Sequence, residues 1–467
     1  MVTVVVAATI AALPVVLLAT RDEPYPDEWD SRVADLATYV EQERGLIFDH
    51  PVPVDFLTAD EYADRTRIGA TELSAEDRAQ LEQATSFLRA VGLASGDIDL
   101  LESANDMADA GTLAFYDPQS QRVVVRGTEM TVNLRVTLVH ELTHVLQDQH
   151  FDLTPALDGE DDTSDQGTAF TALVEGDAMR IETSYVAQLS ADELDEYTSV
   201  YDQELNDSQR DLAEVPAALV ASQIAPYAFG EPLVELIAAE GGNAAVDAAF
   251  ADPPTTAEHM FDPRTYLDRQ EPTLLDAPGL PGGVQEQTDS GELGVVDVYL
   301  VLADRIDPFA ALDAADGWGN GAWISYERDG RTCVDITVEG DTDADDQQLR
   351  DAFGSWVAAM PPEAGASVSV ADESGDLGET LIRSCDPGPD VDATNGRALD
   401  VIVIPAARSQ IAEMAASPGT AVDDAWASGD CFVRHLTLEQ LVAGGRSSDS
   451  SSANDGAVAD AFAACGV

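Results

Sequence analysis

A chain of 467 residues exceeds one ordinary core and divides into roughly two to four folded units. Its content of 45% hydrophobic and 6% aromatic residues is enough to build such cores, which excludes a mainly disordered protein. Against 88 acidic residues stand 23 basic ones, all of them Arg, and the resulting formal charge of −65 repels nucleic acid and anionic lipid, so neither is expected as a partner. A surface so acidic fits adaptation to high salt, which predicts a melting temperature that rises as added salt screens the self-repulsion.

The chain opens with an uncharged apolar run, Val2 to Ala19, followed by Arg21, Asp22 and Glu23. It reads as a signal peptide or membrane anchor over 1–20, which places the protein outside the cell or at its surface and limits membrane contact to this segment. Trp29, Val33, Leu36 and Val40 have helical spacing within 25–49. A second helix is predicted over 74–92, with Ser74 and Asp77 as its capping pair and Leu81, Ala84, Phe87 and Leu88 as its apolar stripe. The β-rich runs 113–116 and 121–126, parted by Asp117 and Pro118, read as a hairpin. Helices are predicted over 131–149 and 169–189, with more to about 250, and 158–167 reads as an acidic loop. The Pro- and Gly-rich stretch 272–291 marks the main boundary. Beyond it, strands are predicted at 322–326, 332–338, 367–370 and 379–384, a helix at 346–360, another strand at 398–405, then two helices separated by a disordered tract at 446–456. Cys333, Cys385, Cys431 and Cys465 all lie in this last third; an even count in an exported chain favours disulfides, and their grouping pairs Cys333 with Cys385 and Cys431 with Cys465.

The chemistry concentrates in one turn of the helix at 131–149. His140 and His144 stand four residues apart on one helical face, so both imidazoles can reach a single cation, and Glu141 between them is free to act as a base. Zinc in such a site acidifies a water whose proton the neighbouring carboxylate takes and passes to the leaving amine. Two residues compete as the third protein ligand. Glu175 lies on the next predicted helix in Leu173-Val-Glu-Gly-Asp-Ala178, where Gly176 permits a close helix approach. His150 has the metzincin spacing, but Gln147 stands where those enzymes need Gly to turn the chain. Glu175 is the better ligand, with His150 and Asp177 kept as alternatives that would orient an imidazole. An oxyanion donor is sought among Tyr227, Tyr185 and His259.

The segment HELTHVLQDQHFDL from His140 to Leu153, with Phe115-Tyr-Asp-Pro118 before it and Leu173 to Ala178 after it, resembles a group of secreted bacterial and archaeal zincin-like metallopeptidases of the gluzincin type. The likeness extends through Pro226 to Gly230 and Thr256 to Tyr266, from roughly residue 100 to 270. It implies His140, His144 and Glu175 as Zn2+ ligands and Glu141 as the base. By the same analogy, the strand at 113–116 or the one after it would be the edge to which an extended peptide adds. The gap from His144 to Glu175 is longer than in the best-known gluzincins, so the loop 150–167 must fold clear of the metal.

Together these readings give an α+β protein: a mainly helical zincin-like domain with a small β-edge at 25–270, a linker at 271–292, a small α+β unit at 293–395 and a C-terminal α/β segment at 396–467. Its expected function is that of an exported zinc-dependent peptidase acting on a peptide or protein. Two rivals are a zinc hydrolase of a non-peptide amide or cell-wall bond, and a non-catalytic surface binding or scaffold protein whose HExxH is vestigial.

Overall fold

The computed structural model describes residues 24–69, 73–110, 113–153, 165–370, 380–416, 420–446 and 452–467. The apolar leader lies outside them, as do the middle of the acidic loop and Glu379. The fold is α+β, 59% helical and 12% strand.

The N-terminal part comprises α1 (Ala34–Arg44), β1 (Val54–Leu57), α2 (Ala59–Thr66), α3 (Ala75–Ala90), α4 (Leu100–Asp109), β2 (Ala114–Asp117) and β3 (Arg122–Arg126). As the sequence predicts, Ser74 caps α3 by accepting the Asp77 amide while the Asp77 carboxylate accepts the Ser74 amide. β2 and β3 form the expected hairpin, with Phe115 opposite Val124. β1 adds to the far side of β3 in parallel, so the sheet order is β1-β3-β2 and β2 is an edge.

Next come α5 (Val132–Phe151), α6 (Asp165–Val186), α7 (Ala191–Asp211), α8 (Ala217–Gly241), α9 (Asn243–Ala251), α10 (Glu258–Phe261) and α11 (Pro263–Leu267). Thr131 caps α5 by accepting the Leu134 amide. Leu138, Val139, Leu142, Val145 and Leu146 of α5 are fully buried and join Val33 and Val40 of the α1 segment, Val123 and Val125 of β3 and Ile181 of α6 in one core. That apolar arc fixes the rotation of α5 and turns its opposite face toward α6.

The remainder is β4 (Asp289–Glu292), α12 (Val295–Arg305), α13 (Pro308–Ala315), β5 (Trp318–Arg328), β6 (Arg331–Gly340), α14 (Asp343–Ala359), β7 (Ser367–Val370), β8 (Thr380–Cys385), α15 (Ala398–Val401), α16 (Val403–Ala415), α17 (Val422–His435), α18 (Leu438–Arg446) and α19 (Ser452–Cys465). The five strands make an antiparallel sheet in the order β4-β5-β6-β8-β7. Both expected disulfides are present, Cys333–Cys385 joining directly opposed residues of β6 and β8, and Cys431–Cys465 joining α17 to α19.

Two readings of the sequence change here. The β-branched run at 398–405 is helical rather than a strand: Val401, Ile402, Ile404 and Pro405 are all buried, and a helix that is apolar on every side belongs inside a core. Pro405 falls within the first turn of α16, where its missing N–H costs little. In the tract 446–456, Arg446 ends α18 and Ser452 begins α19, while 447–451 lie outside the described residues. The stretch 272–291 is irregular until β4, and apolar residues from both sides of it, Phe87 and Phe229 with Trp323 and Phe353, belong to one continuous core.

Candidate metal centre

The site lies between α5 and α6. Helical geometry puts His140 and His144 one above the other on α5, and Glu175 reaches both from α6. Glu175 Oε2 lies 3.1 Å from His140 Nε2 and 3.4 Å from His144 Nε2. The three side chains are only 12%, 11% and 14% exposed, and their donor atoms fall within 4.8 Å of one another.

Each imidazole is held from behind. His140 Nδ1 donates to Glu182 Oε2 at 3.0 Å, and Glu182 lies two helical turns beyond Glu175 on the same face of α6. His144 Nδ1 donates to Gln147 Oε1 at 2.9 Å. The Gln147 amide is itself oriented, since its Nε2 donates to Val174 O at 3.0 Å and to Asp177 Oδ2 at 3.1 Å. Asp177 is fully buried and accepts from Arg44 Nε at 2.8 Å, and Arg44 in turn pairs with Asp247 at 2.7 Å. With both Nδ1 atoms engaged as donors, the two Nε2 atoms are the ones turned toward the shared point, where they hydrogen-bond Glu175 when protonated and offer lone pairs to a metal once deprotonated.

The electrostatics follow from this packing. Burial opposes a charged imidazole, yet the hydrogen bonds that His140 donates to Glu175 and Glu182 override it and hold this ring well above its ordinary range; His144 is raised by the charge of Glu175 and its hydrogen bond to it. Burial would raise Glu175, but the two imidazoles hold it far below the usual carboxylate range. Glu141 is different. Burial pushes its carboxyl up, the two histidines offset this only in part, and its Oε2 accepts the Tyr116 N–H of edge strand β2 at 2.7 Å.

Gly176 is where two helices touch, but the partner is α8 rather than α5. A Cβ on Gly176 would overlap the Gly230 carbonyl, and one on Gly230 would overlap the Ala172 carbonyl. That crossing brings Tyr227, one turn before Gly230, to Glu175. The charge of the Glu175 carboxylate, ahead of burial, holds the Tyr227 phenol protonated well above its ordinary range, although the residue as a whole is 41% exposed.

Other candidates fall elsewhere. His150 turns away at the end of α5, where its Nε2 bonds Ile47 O at 2.9 Å, so it is neither a ligand nor a partner of one. Tyr185 packs edge-on against Tyr39 at 5.0 Å. His259 is buried, donates Nε2–H to Gln270 O at 2.8 Å and accepts the Thr255 N–H at 3.2 Å, a structural role for which burial keeps the ring neutral. Asp177 acts through Gln147. The nearby Thr256 and Ala257 anchor the start of α6 instead, their hydroxyl and amide donating to Asp165 at 2.6 and 2.7 Å.

Glu182, Gln147, Arg44 and the Tyr116 amide were not singled out by sequence. Glu182 could have been, seven residues after Glu175, and so could Gln147, three after His144; nothing local points to Arg44, which joins from 133 residues away. No family model matches the chain, and neither a curated protein nor a solved structure matches it. Among the described residues no helix is long and apolar enough to cross a membrane.

Proposed function

We propose that the protein is a zinc-dependent peptidase with a zincin-like catalytic domain, in which His140, His144 and Glu175 hold the metal and Glu141 is the catalytic base. The observation that carries the reading is the convergence of two imidazole Nε2 atoms and one carboxylate oxygen on a single point. This donor set suits Zn2+, which takes three protein ligands in catalytic sites and leaves a position open for reaction. Two rings fixed from behind through Nδ1 by Glu182 and Gln147 suit it too, because they turn both Nε2 atoms, the ones a metal would deprotonate on binding, toward the same point.

When bound, Zn2+ supplies a Lewis acid and acidifies a water molecule. Glu141 takes the proton: burial has raised its affinity for one, and the Tyr116 amide fixes the carboxylate beside the ligands. The same carboxyl then returns the proton to the departing amine. Tyr227, its phenol kept protonated by the Glu175 charge, is the candidate to donate to an oxyanion. Tyr185 and His259 are too committed elsewhere for that task.

Peptide is favoured over other amides by the edge strand. Neighbouring backbone groups of a strand point to opposite sides, and Leu113 O accepts Arg126 N–H from β3 while Tyr116 N–H points the other way, to Glu141. The free side of β2 therefore runs past the catalytic carboxylate, as an extended chain adding to the edge requires. Export fits the two disulfides, which persist in oxidising compartments. The test is cleavage of a peptide library with zinc and with a chelator, alongside elemental analysis. Stoichiometric zinc and chelator-sensitive cleavage support the reading; cleavage only of cell-wall or non-peptide amides supports the first rival, and protein free of any metal supports a scaffold.

A further inference from the structure

Among the described residues eleven large hydrophobic side chains are exposed, and five of them lie on two helices of 21 and 25 residues that flank the metal centre: Leu194, Tyr201 and Leu205 on α7, and Ile224 and Tyr227 on α8. We propose that these helices are the two walls of a substrate groove and receive bulky apolar side chains of a peptide around the bond held at the metal. The inference rests on the hydrolase reading for the bond that is cut, while the apolar walls stand without it.

The wall on α7 is open because of how that helix is held. Leu194, Tyr197, Tyr201 and Leu205 recur at helical spacing and make one apolar stripe. A surface helix ordinarily turns such a stripe into a core, yet no residue of α7 is buried, and Leu194, Tyr201 and Leu205 are 42%, 51% and 39% exposed. Polar contacts hold the helix instead. Ser190 and Glu193 close a capping box at its start, and from α5 Arg135 Nη2 donates to Glu193 Oε1 at 2.6 Å and Asn133 Nδ2 to Glu204 Oε2 at 3.4 Å. Glu193 and Glu204, eleven residues apart, share one face of the helix, so that face rests on α5. Tyr197 stands next to this contact and is half-buried; the rest of the stripe, about a quarter-turn round, is left uncovered.

The stripe borders the metal centre. Only residues 187–190 join α6 to α7, so the last turns of α6, which carry Glu182, adjoin the first turns of α7. α5 fixes the same relation from its side, since Arg135, bound to α7, is five residues before His140, about 7.5 Å along the helix. The Tyr197 and Tyr201 rings stack at 5.9 Å, and partial burial, then the charge of Glu182, raises both phenols above their ordinary range. Tyr227 of α8 lies in the charge of Glu175 in the same way. Glu175 and Glu182 are two turns apart on one face of α6, about 10 Å, and His140 bridges them through Nε2 and Nδ1. The metal centre therefore lies between the two apolar walls. A peptide with its scissile bond there reaches both of them with side chains about three residues apart, and the stripe from Leu194 to Leu205, about 16 Å long, matches about five extended residues. A charge of −65 repels anionic lipid and a second copy of the chain alike, which leaves the substrate as the occupant.

The experiment measures binding, so that it does not depend on turnover. Uncharged heptapeptides of Gly, Ser and Gln that carry two Phe residues three positions apart, and counterparts with Ala in place of Phe, are titrated by fluorescence anisotropy into Glu141→Gln protein supplied with zinc. The Phe peptide should bind at least about tenfold tighter than its Ala counterpart. Tyr201→Ser with Leu205→Ser should remove that difference, whereas Ile47→Ser with Leu274→Ser, which deletes exposed apolar side chains away from α7 and α8, should preserve it. Equal binding of the two peptides, or equal loss in both double variants, overturns the proposal. So does a wild-type dimer in sedimentation that Tyr201→Ser with Leu205→Ser splits, because the stripe then belongs to a second copy. Failure of the hydrolase reading looks different: wild-type protein with zinc cleaves no member of a peptide library, yet the Phe preference and its loss on changing Tyr201 and Leu205 remain.

Discussion

Among the described residues two sets of three side chains could hold a metal ion, and the sets are surrounded very differently. His140, His144 and Glu175 lie between two long helices; Cys431, His435 and Cys465 lie at the C-terminal edge, where His435 is exposed and the two sulfurs are joined. In both sets the donor atoms fall within 4.8 Å of one another. Proximity is therefore not what distinguishes them. Around the first set every imidazole has a fixed tautomer, and one of its supports continues through Gln147 and Asp177 to a fully buried arginine. In the second, His435 Nδ1 donates its proton to the Cys431 carbonyl at 2.8 Å, which leaves that nitrogen no lone pair to share a metal with the sulfurs 3.6 and 3.5 Å away. A metal centre is a ligand set whose second layer has already chosen the protonation states.

The strongest way to break this comparison is to remove the first set's own members. Glu175→Ala should lose stoichiometric zinc in elemental analysis, whereas His150→Ala should keep it. Glu141→Gln should retain zinc while peptide turnover falls by several orders of magnitude, on the order of 10³ or more, because the base is gone. If His150 proved essential for zinc and Glu175 dispensable, the third ligand would be wrong. Full activity in Glu141→Gln would remove the hydrolase reading.

Next in size are the supports. Glu182→Gln and Gln147→Ala each leave the ligands in place but loosen one imidazole, and zinc affinity from competition with a chromogenic chelator should fall about 10- to 100-fold in each. A variant with unchanged affinity would show that the second layer does not distinguish the two sets.

These supports also mark how far the sequence could be read. The HExxH turn, its helix, the hairpin before it and the Glu175 helix were legible because each is local: apolar residues at helical or alternating spacing set the face, and caps such as Thr131 set the start. Both disulfides were legible from the grouping of four cysteines. The rest depends on contacts across long separations. β1 joins β3 in parallel from over sixty residues upstream, without a turn signal between them, and the α6–α8 contact depends on two glycines whose pairing no single helix reveals. The strand expected at 398–405 failed for a related reason: β-branched composition says that the segment is buried, not how its backbone is hydrogen-bonded.

A smaller perturbation acts through the frame. Gly176→Ala would set a methyl group against the Gly230 carbonyl, forcing α6 and α8 apart and shifting Glu175 and Tyr227 together. Thermal or denaturant unfolding should report a loss of about 1–3 kcal/mol, with weaker zinc binding beside it. Unchanged stability and affinity would mean that the close crossing is not what sets the site.

The smallest effect on the first set should come from opening the second. A disulfide sulfur is not the thiolate that binds metal, so oxidised protein should take up one equivalent of zinc. Reduction frees two thiols beside His435, whose ring must also give up its bond to the Cys431 carbonyl before Nδ1 can act as a ligand. A second equivalent of zinc should therefore appear only after reduction, bind more weakly than the first, and disappear in Cys431→Ser, while peptide cleavage at the His140 site stays at its oxidised level. Zinc titration of oxidised, reduced and Cys431→Ser protein, with turnover measured on the same samples, makes the distinction. Two equivalents in the oxidised protein would show that oxidation does not silence the second set. A second equivalent as tight as the first would show that exposure and an unfixed histidine cost nothing, and the contrast between the two sets would lose its physical basis.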